Sequence, residues 1–231
     1  QSGTYVIANY VWSTRYLPLL REETRTLVDT HDQFSSKQEK VGQFGLSPDL
    51  ALTEIQERGM LLRADVIMAI QPEEADAFRS LVPERHVLTV GVDFDLPDEK
   101  AASATHSDTA GPTVLGLVGS SNQMNIKGAQ DFLRYVWPLL RRENDQQWLI
   151  VAGSLCEGLP SGLPGIELLG PLDSLESFYQ RCDVLINPTI AGTGLKIKTV
   201  EAIANRKPIV CWPLGVEGIP LPLRKFCHVA E

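Results

Sequence analysis

Short apolar runs alternate along this chain with stretches whose apolar residues recur at helical spacing. In the first part, residues 4–8, 26–29, 66–70 and 86–90 read as strands. A helix is expected from near Ser13, an amphipathic stretch over 47–63, and a helix opened by Pro72, Glu73 and Glu74. The polar run 29–43 reads as irregular. In the second part, strands are expected at 114–118, 148–151, 166–168, 184–186 and 209–212, with helices at 127–144, 174–181 and 195–205. Several of these strands are continuously apolar, as strands covered by helices on both faces must be. Strand alternating with helix predicts an α/β chain with parallel, doubly wound, Rossmann-like sheets.

The main break in composition is the small, polar segment from Asp95 to Pro112, closed by Gly-Pro. It divides an incomplete first Rossmann-like domain (1–95) from a second one (113–231), with 96–112 as linker. The chain starts at Gln1 rather than Met and is expected to be an excised piece. A final strand or helix is expected beyond Glu231.

Of the 231 residues, 43% are hydrophobic and 22% charged, ordinary values for a globular protein. The net charge of −8 argues against a nucleic-acid groove. No apolar run approaches the roughly 20 residues that span a bilayer. Four cysteines and four histidines show neither CxxC nor metal-ligand spacing, so a reducing compartment and no metal are expected.

The densest chemistry lies where the run Asp183-Val184-Leu185-Ile186-Asn187 ends and Gly192, Thr193, Gly194 and Leu195 lead into a helix. In an open α/β sheet ligands sit beyond the carboxyl ends of the strands, and a helix start offers free N–H groups to an anion. Lys196 falls in the first turn of that helix, against the macrodipole, which an anion in front of it would explain. Lys198 points to another face and reads as solvated. Glu201, flanked by apolar residues one to two turns on, is either a surface position or a carboxylate that accepts sugar hydroxyls. The plainer alternative for the whole segment is a Gly-rich connection with two surface lysines.

The stretch GTGLKIKTVEAIANRKPIV resembles the donor site of glycosyltransferase family 4, enzymes of the two-domain GT-B architecture. Leu115 to Ser120, Asn125 to Gly128 and Leu169 to Leu172 fit the same pattern in order, so the resemblance covers nearly all of 114–218. It implies a nucleotide-diphosphate sugar as donor. Glu201 would hold its ribose, the amides of Gly192 to Leu195 its phosphates, and the stretch of Gly170, Pro171 and Leu172 its base. Gly119 and Ser120 would line the first turn of the site, and Lys127 would meet the diphosphate. Two positions depart from the family: Thr193 stands where many members carry Glu, and Ser120 where many carry Arg. Lys196 is the candidate to replace the lost charge.

In the first part, Asp29-Thr30-His31-Asp32 follows a strand and resembles the stretch with a cleft-edge His in related transferases. His31 is the candidate to orient donor or acceptor, with Asp32 fixing its tautomer or binding acceptor hydroxyls. The alternative is a loop His bound locally by Asp29 or Asp32. The family reading implies a retaining, metal-independent transfer, with no cofactor, to a glycan or lipid-linked acceptor. It also implies polysaccharide or glycolipid synthesis and a cytoplasmic location, with the inner face of the membrane as the alternative and membrane contact left open. Rivals are a nucleotide-sugar binding module without activity, an epimerase or phosphorylase of the same fold, and a dinucleotide oxidoreductase. The last is disfavoured because Gly119-Ser120-Ser121-Asn122 does not begin GxGxxG.

Overall fold

The computed structural model describes residues 3–94 and 112–230. By contacts the chain forms two units, Gln1–Asp93 with Gly192–Leu195, and Phe94–Ala191 with Lys196–Glu231. The linker expected at 96–112 lies outside the described residues except for Pro112.

In the first unit, β1 (Tyr5–Asn9), β2 (Arg25–Asp29), β3 (Val66–Ala69) and β4 (His86–Thr89) form a parallel sheet in the order β1-β2-β3-β4. Its core gathers Val28 and Ile67 with Leu61 and Phe78. Leu61 comes from α2 (Glu54–Leu61) and Phe78 from α3 (Pro72–Leu81). Thr53 caps α2 in a reciprocal box with Gln56, which explains why the helix starts there and why 47–53 stays irregular. Pro72 opens α3, where its missing N–H costs nothing. Two expectations change. The segment after Tyr10 forms a 3-10 helix, Val11–Leu19, with Pro18 inside it, and part of the polar run forms the short α1 (Lys37–Gly42).

The second unit contains β5 (Val114–Val118), β6 (Trp148–Ala152), β7 (Ile166–Gly170), β8 (Val184–Asn187), β9 (Ile209–Cys211) and β10 (Cys227–Val229). These six pair in parallel in the order β10-β9-β8-β5-β6-β7. The sheet therefore reverses direction between β5 and β8, and β10 is a strand that the sequence pattern missed. One long helical stretch follows β5: α4 (Gln123–Asp131), a π turn at Phe132–Val136, and α5 (Trp137–Glu143). Later helices are α6 (Glu176–Arg181), α7 (Ile197–Ala204) and α8 (Leu221–Arg224). Gly128 lets α4 lie directly on the end of β8, since a Cβ there would meet the Pro188 carbonyl oxygen at 2.1 Å.

Both units fix strand starts with the same device. Asp65, just before β3, accepts the Thr26 amide of β2 at 2.9 Å, and Asp183, just before β8, accepts the Val114 amide of β5 at 2.7 Å. Each carboxylate pairs a strand-end amide that would otherwise face solvent or stay orphaned. The Asp65 carboxyl is held below its ordinary pKa, chiefly by this amide bond.

Candidate functional site

The reversal between β5 and β8 opens a narrow crevice at the carboxyl ends of these strands, lined by Leu117, Asn125, Ile186, Pro188 and Lys198. Its walls are set by buried polar bonds. Asn187, at the end of β8, donates through Nδ2 to Thr199 Oγ1 of α7 at 2.9 Å, and Thr199 donates to the Gly215 carbonyl at 2.6 Å. The start of α7 is thereby pinned to the sheet. On the other wall, Asn122 caps α4 by accepting the Asn125 amide at 2.8 Å. Asn125 Nδ2 in turn donates to the Ser120 carbonyl and hydroxyl oxygens, both at 3.1 Å.

Lys198, the second residue of α7, reaches across this crevice and donates to Asn125 Oδ1. Its Nζ lies against the turn after β5, 3.4 Å from where a Cβ on Gly119 would stand. Burial, and then repulsion from Lys196, bring its pKa down to about 8. One turn further along α7, the half-buried Glu201 accepts a hydrogen bond from Tyr179 Oη of α6 through Oε2 at 3.2 Å. Burial raises the Glu201 pKa and the Tyr179 bond opposes that rise, while burial and Glu201 together raise that of Tyr179.

Residues 112–222 match the family model "Glycosyl transferases group 1". That stretch, most of the second unit, is similar to this family. An uncharacterized 44.6 kDa protein in the cps region of Klebsiella pneumoniae is 30% identical over 105 residues, covering 41% of this chain and 27% of that protein. Solved glycosyltransferases share the fold at low identity. Sucrose-phosphate synthase from Thermosynechococcus elongatus superposes with a TM-score of 0.68 at 16% identity, over 97% of this chain and 60% of its own. Anabaena HepE in complex with UDP gives 0.68 at 15%, over 98% and 64%. A UDP-forming trehalose-phosphate synthase from Burkholderia xenovorans gives 0.62 at 11%, over 92% and 60%. The chain thus spans about a quarter of its curated relative and under two thirds of these enzymes. Its two parallel sheets are those of the GT-B fold.

The residues picked from sequence do not all converge. Gly119, Ser120 and Glu201 stand around the end of β5 and along α7. Gly192 and Gly194 have φ of 131° and 76°, backbone that only glycine adopts readily, so this turn depends on its glycines. Pro171 and Leu172 follow Gly170 at the exposed end of β7. Lys127 spends its charge on Asp131, one turn along α4, and Lys196 is buried with Glu217 Oε2 at 3.4 Å. Lys198, expected to be solvated, is the lysine that lines the crevice. Tyr179 was missed altogether, and Asn125 was noted only as part of the Asn125 to Gly128 pattern, without a role; an aromatic hydroxyl and an amide carry no signal until the fold brings them to a charged neighbour.

In the first unit, an open cleft of about 460 Å³ is lined by Tyr10, Trp12, His31, Asp32 and Lys37 among others. Tyr10 and His31 both have left-handed backbone, φ 65° and 58°, and their rings stack at 4.4 Å. Such strain in non-glycine residues concentrates at functional sites. His31 Nε2 bonds Asn9 Oδ1 and lies 3.4 Å from Asp29 Oδ2. Asp32 instead pairs with Lys37 at 2.9 Å, so the neighbours that set the imidazole are Asn9 and Asp29. Among the described residues, no cluster of metal-ligating side chains is present and no helix is long and apolar enough to cross a membrane.

Proposed function

We propose that this chain is the donor-binding part of a retaining glycosyltransferase that moves a sugar from a nucleotide-diphosphate sugar to a hydroxyl acceptor. The observation that carries the reading is the half-buried Glu201, one turn along α7 from the Lys198 that lines the β5–β8 crevice, in a stretch similar to glycosyl transferases group 1. Tyr179 occupies one carboxylate oxygen and leaves the other to accept the ribose hydroxyls. Transfer would proceed by departure of the nucleoside diphosphate through an oxocarbenium-like transition state. The growing negative charge would be met by backbone amides and by cationic side chains. No side chain is assigned as a nucleophile, so a double displacement is not part of the reading. His31 and the strained cleft of the first unit would serve the acceptor side.

The acceptor class is a glycan or a lipid-linked sugar, in keeping with the cps-region relative. A hexosyl donor, synthesis in the cytoplasm and independence from metal belong to the same reading. Calorimetry with UDP, GDP, ADP and dTDP in buffer containing EDTA tests it. Selective binding of one nucleotide, lost in Glu201→Ala, is the expected result; no binding to any of the four would refute the donor site. Donor hydrolysis or transfer separates an enzyme from the rival, a binding module without activity, which Thr193 in place of the family's Glu keeps in view.

A further inference from the structure

We propose that Lys198, held by Asn125 beside Gly119, is the cation that receives the donor diphosphate, in place of Lys127 and Lys196. The inference rests on the donor-site reading above and assigns its phosphate contact.

Three lysines compete for this role, and their surroundings differ. Lys127 is ion-paired to Asp131 within its own helix, with 42% of its side chain exposed. Lys196 is ion-paired to Glu217 and 7% exposed. Lys198 has no carboxylate within ion-pair distance among the described residues, and its hydrogen-bond partner is the neutral Asn125 amide. Lys198 is half-buried, and a half-buried cation without an acid carries part of the cost of a buried charge. Here the cost is compounded by the positive end of the α7 macrodipole and by Lys196 two residues away. An anion at the mouth of the crevice would offset all three at once.

The geometry around Lys198 suits a phosphate. Its Nζ sits where the sheet reverses between β5 and β8, the position at which open α/β sheets take ligands. Gly119 keeps the approach open, because a side chain there would press on Leu155, Asn125 and Lys198 within 2.9–3.4 Å. Asn125 fixes the ammonium without neutralising it, and is itself fixed by two bonds to Ser120. Ser120 stands where many family members carry Arg; Lys198 supplies a positive charge to the same turn from the opposite wall.

The test compares UDP with uridine, or whichever nucleoside diphosphate and nucleoside the four-nucleotide panel selects, by calorimetry on the whole chain. Wild type and Lys127→Met should bind UDP at least tenfold more tightly than uridine. Lys198→Met should lose about tenfold to hundredfold in UDP affinity while its uridine affinity holds. Asn125→Asp, which gives Lys198 a carboxylate of its own, should lose the preference in the same way. Lys198→Met should also melt at or above the wild-type temperature, because it removes a half-buried charge that has no acid beside it. Retention of the UDP preference in Lys198→Met would overturn the inference. So would a lowered melting temperature with loss of both ligands, which marks a structural lysine. A wild-type chain with no preference for any diphosphate over its nucleoside would instead take down the donor-site reading itself.

Discussion

The two sheets of this molecule are built alike and used differently. Each is parallel, and each precedes a strand with an aspartate bound to an amide in the first two residues of the neighbouring strand, Asp65 to Thr26 in one unit and Asp183 to Val114 in the other. The first sheet adds its four described strands in one direction; the second reverses between β5 and β8. Where the order reverses, adjacent helices leave to opposite faces and the strand ends are uncovered. The charges follow this difference. At the end of β2 in the first unit, Asp32 is answered by Lys37 and His31 by Asn9 and Asp29. At the end of β5 in the second, the partner of Lys198 among the described residues is an amide. A lysine in the first setting is part of the fold, and a lysine in the second works against it.

That contrast makes opposite predictions for two substitutions of the same kind. Lys37→Met leaves the Asp32 carboxylate, 14% exposed, without its cation. It should lower stability by about 1–3 kcal/mol in urea denaturation; an unchanged midpoint would break the comparison at its strongest point. Lys198→Met should shift stability the other way. The Lys198 pKa is lowered from 10.5 to about 8 in the folded chain, first by burial and then by Lys196. A lowered lysine pKa penalises the folded state in full below about pH 8, where both states carry the proton. The penalty fades as pH rises towards 10.5, once the unfolded chain also loses its proton. The stability gain of Lys198→Met should therefore be largest near pH 7, at most about 3 kcal/mol, and should shrink by pH 10.

The smallest effect sharpens the acid side of the site. Tyr179→Phe removes the one bond that opposes the burial-driven rise in the Glu201 pKa. Nucleotide affinity should fall only about twofold to tenfold at neutral pH. Its decline on acidification should begin at a higher pH than in wild type, because Glu201 takes up its proton sooner. Titrations between pH 5 and 8 measure this; superimposable profiles would mean that Tyr179 does not poise Glu201.

Much of the fold was legible because burial on both faces imposes an apolar pattern that survives in sequence. β5, reading Val-Leu-Gly-Leu-Val, is found at the predicted bounds, as is the Pro72 start of α3. The elements that escaped are short or weakly patterned, β10 with three residues and α1 within a polar run, while the helix expected near Ser13 is of 3-10 type and starts at Val11. In the site, glycines and Glu201 stood out because their residue types are unusual in that setting. Lys198 did not, since a lysine two residues into a helix has the same local signature whether it meets solvent or a crevice wall.

By itself, the sequence determined the alternation of strands and helices, the place of the Gly-rich turn before α7, and the likeness of residues 112–222 to glycosyl transferases group 1. These are local properties, written in periodicity and in residue types along contiguous stretches. Only the tertiary structure decided which lysine faces the crevice, which partner holds Glu201, and which neighbours set His31. Those outcomes depend on the strand order that sets β5 beside β8, and on contacts such as Asn125 with Lys198 and Tyr179 with Glu201, 73 and 22 residues apart. Charge is read from the chain, but its neutralisation is a matter of distance in space.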